Sequence, residues 1–265
     1  MKMPYFPFLG VLLFATCSKS ETTTTNTRIV GGQDTIIEKY PSMVQIEYFG
    51  PWNGIWDQQC AANILTTYWV LTAAHCFNEE VEFMRIRAGS TYRMTGGSVH
   101  YVDFVRNHPD YDDQDGYYYD ADIGVIKLLT PVVYSPYIQK GTIVSQSFVV
   151  PDNYPVVHAG WGGIYTAGPP SYILQDVTVY TINRTECARR YRDGLSKSIT
   201  DNMVCAGILD VGGCDACYGD SGGPLYAGDV IVGIVSFGEN CGDPFYPGVS
   251  ASVAAFSDWS VANAR

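Results

Sequence analysis

From Tyr40 onward, apolar positions come in short runs, several of them alternating with polar residues, and Gly, Pro or Asn separates one run from the next. The clearest runs lie at 43–48, 69–71, 99–105, 123–129, 156–158, 172–182 and 230–236. Short runs bounded by turn residues predict many short strands, and hence an all-β sandwich or barrel. One segment departs from this: residues 254–264, after Ser252, have the spacing of a short amphipathic C-terminal helix. There is no internal repeat, and a hinge between two halves falls near residues 131–141.

The N-terminus follows another pattern. Lys2, an apolar core over 6–15 and the small-residue step Ala15-Thr16-Cys17 predict a secretory signal over residues 1–17. Residues 18–28 are polar, with a run of threonines, and read as a propeptide or linker. No stretch is apolar for long enough to span a bilayer, so no membrane association is expected. The 265 residues suffice for one large or two small domains. A net charge of −11 argues against nucleic acid as a partner, which requires a basic stripe. Export permits disulfides. Of eight cysteines, Cys17 is expected to leave with the signal, and the seven that remain make an odd number to be explained.

The chemistry centres on residues 219–224, Gly-Asp-Ser-Gly-Gly-Pro. At average residue frequencies, this hexamer arises by chance in a chain of this length about once in 10⁵, so an incidental turn is set aside. A serine hydroxyl is a weak nucleophile and needs a neighbouring base, with backbone N–H donors aimed at the oxyanion it creates. His75, in Leu-Thr-Ala-Ala-His-Cys at 71–76, is the candidate base. His100, His108 and His158 read as ordinary surface or satisfied core histidines. The carboxylate that orients the base is assigned to Asp122, which opens an apolar strand. Asp112, Asp113, Asp115 and Asp120 lie in an acidic, tyrosine-rich run that reads as a solvated loop.

With His75, Asp122 and Ser221 in that order, the chain from Ile29 onward resembles the trypsin/chymotrypsin family of serine proteases. Within that family it is similar to the digestive trypsins of moth and butterfly midgut. The motifs that carry this likeness are Pro-Ser-Met-Val at 41–44, Arg-Ala-Gly-Ser-Thr-Tyr at 87–92, Ala-Gly-Trp-Gly at 159–162 and Leu-Asp-Val-Gly-Gly at 209–213. The resemblance implies two antiparallel six-stranded β-barrels, over about 29–135 and 136–265, with the triad in the cleft between them. It also implies oxyanion donors at Gly219 and Ser221, and activation by cleavage after Arg28, whose new Ile29 amine would pair with Asp220. The implied disulfides are Cys60–Cys76, Cys187–Cys205 and Cys217–Cys241. Cys214 is left over, either as an inert thiol or as a competitor for Cys217 or Cys241.

Asp215, six residues before Ser221, matches the base of the primary pocket in trypsins, and Gly238 and Gly248 match its wall. Cleavage after Arg or Lys follows, with residues 236–238, from Ser236 to Gly238, pairing with substrate as an added strand. Arg28 fits the same pocket, so self-activation is expected. Ala61 and Ala62 stand where the family often has glycines, Phe237 where Trp is common and Tyr218 where Gln is common. Residues 88–101 carry no carboxylate, so neither structural calcium nor any other metal or cofactor is expected. The expected partners are protein or peptide substrates and proteinaceous inhibitors, and the chain is expected to be a monomer. Asn183-Arg184-Thr185 is the single glycosylation sequon. Two other readings compete, a catalytically silent homologue acting as a binding module and a cascade protease. The retained triad opposes the first, and the short segment before Ile29 opposes the second.

Overall fold

The computed structural model describes residues 30–77, 79–111 and 119–265. The signal, the propeptide, Arg28, Ile29 and residues 112–118 (with Asp112, Asp113 and Asp115) lie outside the described residues. The first half contains strands β1 (Gln33–Asp34), β2 (Met43–Gly50), β3 (Ile55–Ile64), β4 (Trp69–Thr72), β5 (Met84–Ala88), β6 (Ser98–Asn107) and β7 (Gly124–Leu128). The second half contains β8 (Thr142–Ile143), β9 (Pro155–Gly160), β10 (Gln175–Ile182), helix α1 (Arg184–Leu195), β11 (Met203–Gly207), β12 (Pro224–Ala227), β13 (Val230–Phe237), β14 (Gly248–Ser252) and helix α2 (Val253–Asn263).

Strands β2 to β7 close into a barrel in the order β2-β3-β4-β7-β6-β5. In the second half the order β10-β11-β14-β13-β12-β9 closes through an antiparallel β9–β10 pairing, with β1 and β8 added at the outside. Both barrels of six strands are antiparallel, as expected. Closure leaves no unpaired sheet edge, and inward-facing side chains fill each interior. Met43, Ile46, Ile64, Leu71, Met84, Ile86 and Ile126 are among the fully buried side chains of the first barrel.

Strands β3, β5, β11, β12 and β14 and helix α1 were not among the runs read from the sequence. Strand β3 begins with the polar-rich Ile-Trp-Asp-Gln-Gln and β5 carries Arg85 and Arg87, while β11 and β12 are runs of only five and four residues. Those two arginines are held by the fully buried Glu47 carboxylate on β2, Arg85 at 2.5 Å, so charge pairing replaces the apolar signal. Helix α1 is capped by the sequon residue itself. Asn183 Oδ1 accepts from the N–H groups of Thr185 and Glu186, the arrangement that favours Asn at this position.

Contacts at several places fix the barrels against each other. Trp161, buried in the second barrel, donates its indole N–H to Thr91 O at 2.9 Å. Asp176 on β10 accepts from Lys39 and Tyr40, at 2.6 and 2.8 Å. Asp120 accepts from Thr200 and Asn202 at 2.6 and 3.1 Å, so this member of the acidic run is an anchor between barrels and not a solvated residue. The disulfides Cys60–Cys76, Cys187–Cys205 and Cys217–Cys241 are all present. Each closes a loop of 16 to 24 residues, worth about 3 kcal/mol of chain entropy.

Candidate active site

The loop carrying Ser221 is clamped from both sides. The Cys217–Cys241 bridge holds its start, and the bonds Asp220 N–H to Cys217 O and Gly223 N–H to Asp220 O, both 2.9 Å, make it a tight double turn. Gly222 has φ of 77°, and a Cβ there would lie 2.0 Å from Thr72 Oγ1 and 2.4 Å from Ala61 O. Only glycine fits, because the loop of the second barrel presses on β3 and β4 of the first. Ala61 N–H donates to Ser221 O at 2.8 Å across the same seam. Ala61 and Ala62 are fully buried here.

The N–H groups of Asp220, Gly222 and Gly223 are all used within the fold. Those of Gly219 and Ser221 donate to no described group. Gln58, unremarked in the sequence, holds this peptide in place: its Nε2 donates to Gly219 O at 2.7 Å, and Arg93 donates to its Oε1 at 2.8 Å.

Asp122 and His75 meet at the first barrel's rim. Ala121 adopts a left-handed φ of 50°, turning the chain so that Asp122 points inward at 0 % exposure. One Asp122 oxygen accepts from His75 N–H at 2.9 Å and the other pairs with His75 Nδ1 at 2.7 Å. Ser236 Oγ also donates to Asp122. With Nδ1 donating to the carboxylate, the imidazole keeps Nε2 as an acceptor. The ring sits on the 3-10 turn Ala74–Cys76, pinned by the Cys60–Cys76 bridge. Among the described residues the single cluster of metal-ligand type is Cys60, His75 and Cys76. It offers no thiolate, since both sulfurs are in that bridge.

His75 and Ser221 line one cleft of about 440 Å³, together with Asp215, Gly238, Gly248 and His158. Asp215 is 4 % exposed. Its oxygens accept from Ala216 N–H at 2.8 Å and Gly242 N–H at 3.3 Å. A Cβ at Gly248 would stand 2.6 Å from Asp215 Oδ1, whereas one at Gly238 would make only ordinary contacts. Burial pushes the Asp215 carboxyl up to about 7 against the pull of these two N–H groups. Asp220 is 1 % exposed and likewise pushed up by burial, to about 6, although Cys217 and Gly162 N–H groups donate to it. Its expected partner, the Ile29 amine, lies outside the described residues. Val30 O accepts from Asp215 N–H at 3.3 Å, so the chain just past that amine runs beside the Asp215 loop.

Ser236 lines the cleft, its hydroxyl bonded to Asp122, at the irregularity in β13–β14 pairing between Val235 and Phe237. Two sequence expectations need correction. Cys214 is neither an inert thiol nor a competitor: it is disulfide-bonded, and no described cysteine is free. His158 is no surface residue and no satisfied core residue: it is 4 % exposed with neither ring nitrogen hydrogen-bonded. Tyr119 was missed because it ends the acidic run. Its ring lies 5.9 Å from that of His75 and stacks on Phe237 at 5.4 Å. Tyr218 is exposed at the mouth of the cleft.

Two closed barrels with a buried Asp–His pair and a clamped serine loop between them define a serine-hydrolase framework. The trypsin family model matches residues 29–260, and the chain belongs to that family. It is a serine endopeptidase. It is 40 % identical over 253 residues to "Trypsin, alkaline B" of Manduca sexta, covering 95 % of this chain and 97 % of that one. "Trypsin, alkaline A" of the same moth is 42 % identical, with 88 % and 89 % covered. "Trypsin CFT-1" of Choristoneura fumiferana is 39 % identical, with 89 % and 91 % covered. No helix among the described residues is long and apolar enough to cross a membrane.

Proposed function

We propose that this chain is a secreted digestive zymogen that, once cleaved after Arg28, hydrolyses peptide bonds following Arg or Lys. Ser221 Oγ attacks the scissile carbonyl while His75 Nε2 takes its proton, and Asp122 holds the tautomer and stabilises the imidazolium. The oxyanion is met by the N–H groups of Gly219 and Ser221. His75 returns the proton to the leaving amine, and water then releases the acyl group by the same route in reverse. This is the mechanism worked out for the family.

The observation that carries the specificity is Asp215, a carboxylate buried in the cleft that bears Ser221. A cationic side chain gives it a charge-assisted partner, and a neutral one leaves a buried charge unpaired. Digestion of a denatured protein, read by mass spectrometry, is expected to give new C-termini that are Arg or Lys; termini dominated by Phe, Tyr or Leu would contradict the reading. Because the cation needs the ionised carboxylate and Asp215 titrates near 7, the KM for an Arg substrate should rise as pH falls below about 7.

A further inference from the structure

His158 stands where nothing in the catalytic account uses it. It lies on β9, paired with Val177 of β10 on one side and Leu225 of β12 on the other. Alternate strand residues share a face, so His158 points to the same side as Gly160, where an added Cβ would meet the Asp220 carboxylate at 1.9 Å. That face underlies the loop from Asp215 to Asp220. The His158 ring lines the cleft, with Nε2 3.8 Å from Asp215 Oδ1. Such a separation is too long for a hydrogen bond, and Oδ1 already accepts from Ala216 N–H at 2.8 Å. Neither ring nitrogen has a partner among the described residues. A buried polar group without a partner is costly unless something else completes it.

We propose that His158 is a specificity-determining residue of the primary pocket, its Nε2 accepting a hydrogen bond from the guanidinium that Asp215 binds and so favouring Arg over Lys. The inference rests on the Arg/Lys reading of the cleft. A guanidinium offers five N–H donors in a rigid plane, and the two Asp215 oxygens cannot take them all. Of the other side chains lining the cleft, Ser236 is committed to Asp122, Ala216 has no polar atom, and Ser250 and Asn240 are polar but neutral. An ammonium is a compact charge on a shorter reach and can be satisfied without the ring. Burial pushes the imidazole down to about 4, so above that range the ring is neutral and retains an acceptor.

The discriminating experiment compares wild type, His158→Val and His158→Gln on peptide amides that differ only in Arg or Lys before the scissile bond. His158→Val should lower kcat/KM for Arg about tenfold relative to Lys, chiefly through KM. His158→Gln, whose amide oxygen can still accept, should recover part of that ratio. The burst amplitude with an Arg ester reports the fraction of folded, competent sites in each variant. An Arg-to-Lys ratio unchanged in both variants would overturn the proposal, as would an equal loss on the two substrates, which would mean that the ring only supports Asp215. Wild type that cleaves after neither Arg nor Lys would instead overturn the reading of the pocket itself.

Discussion

Replacing Ser221 with alanine is expected to lower kcat by about 10⁵- to 10⁶-fold while leaving substrate affinity nearly intact. The loss is of this size because members of such a unit act together, and without the nucleophile the base has nothing to activate. His75→Ala should cost about as much as Ser221→Ala, and the double variant little more than either. Asp122→Asn should cost about 10⁴-fold, the family's precedent for an imidazole held in the wrong tautomer. In this chain Asp122 also accepts from His75 N–H and Ser236 Oγ. An amide can present only one acceptor oxygen, so one of those bonds is lost along with the charge. Steady-state kinetics on the activated protein measures all four variants. Residual activity within tenfold of wild type in Ser221→Ala would contradict the assignment.

The second large effect is expected from Asp215→Ser. Cleavage after Arg or Lys should fall by about 10³- to 10⁵-fold, since a site built around one charge loses its selector. Stability should move in the opposite direction. The folded Asp215 pKa of about 7 lies above the ordinary carboxylate value of 3.8, so the folded state holds its proton more tightly than the unfolded one. Stability from this group is therefore full below about 4 and is lost as pH rises through about 7. Above that range the buried anion costs the fold up to about 4 kcal/mol, and removing it should raise Tm at pH 8. Paired kinetics and thermal melts check both halves. A variant that loses activity and also melts lower at pH 8 would contradict the account of Asp215 as a strained selector.

What the sequence made legible follows from where its signals are local. The strands at 43–48 and 123–129 and the C-terminal helix carry their pattern in adjacent residues, and the structure has β2, β7 and α2 there. Strand β5 escaped although Arg85 and Arg87 alternate with Met84, Ile86 and Ala88, because the run is only five residues long and the partner of its arginines, Glu47, lies about 40 residues away. The tight turn at Ser221 was legible because Gly222 must be glycine against Thr72 and Ala61, so the constraint is written into the residue type. His158 and Gln58 were not, since a histidine or glutamine on a strand says nothing of what the fold sets above it. Cys214 was misread for another reason: the pairing of cysteines is not written in their number and spacing, and the structure has Cys214 in a disulfide.

The most direct test of the catalytic claim is burst kinetics with an Arg ester and a Phe ester, on protein shown to start at Ile29, beside the Ser221→Ala variant. A burst with the Arg ester in the wild type only, and none with the Phe ester, is the predicted result, and it identifies both the nucleophile and the selector. A burst that persists in Ser221→Ala, or no burst with either ester, would contradict the assignment of Ser221, His75 and Asp122 as the reacting centre.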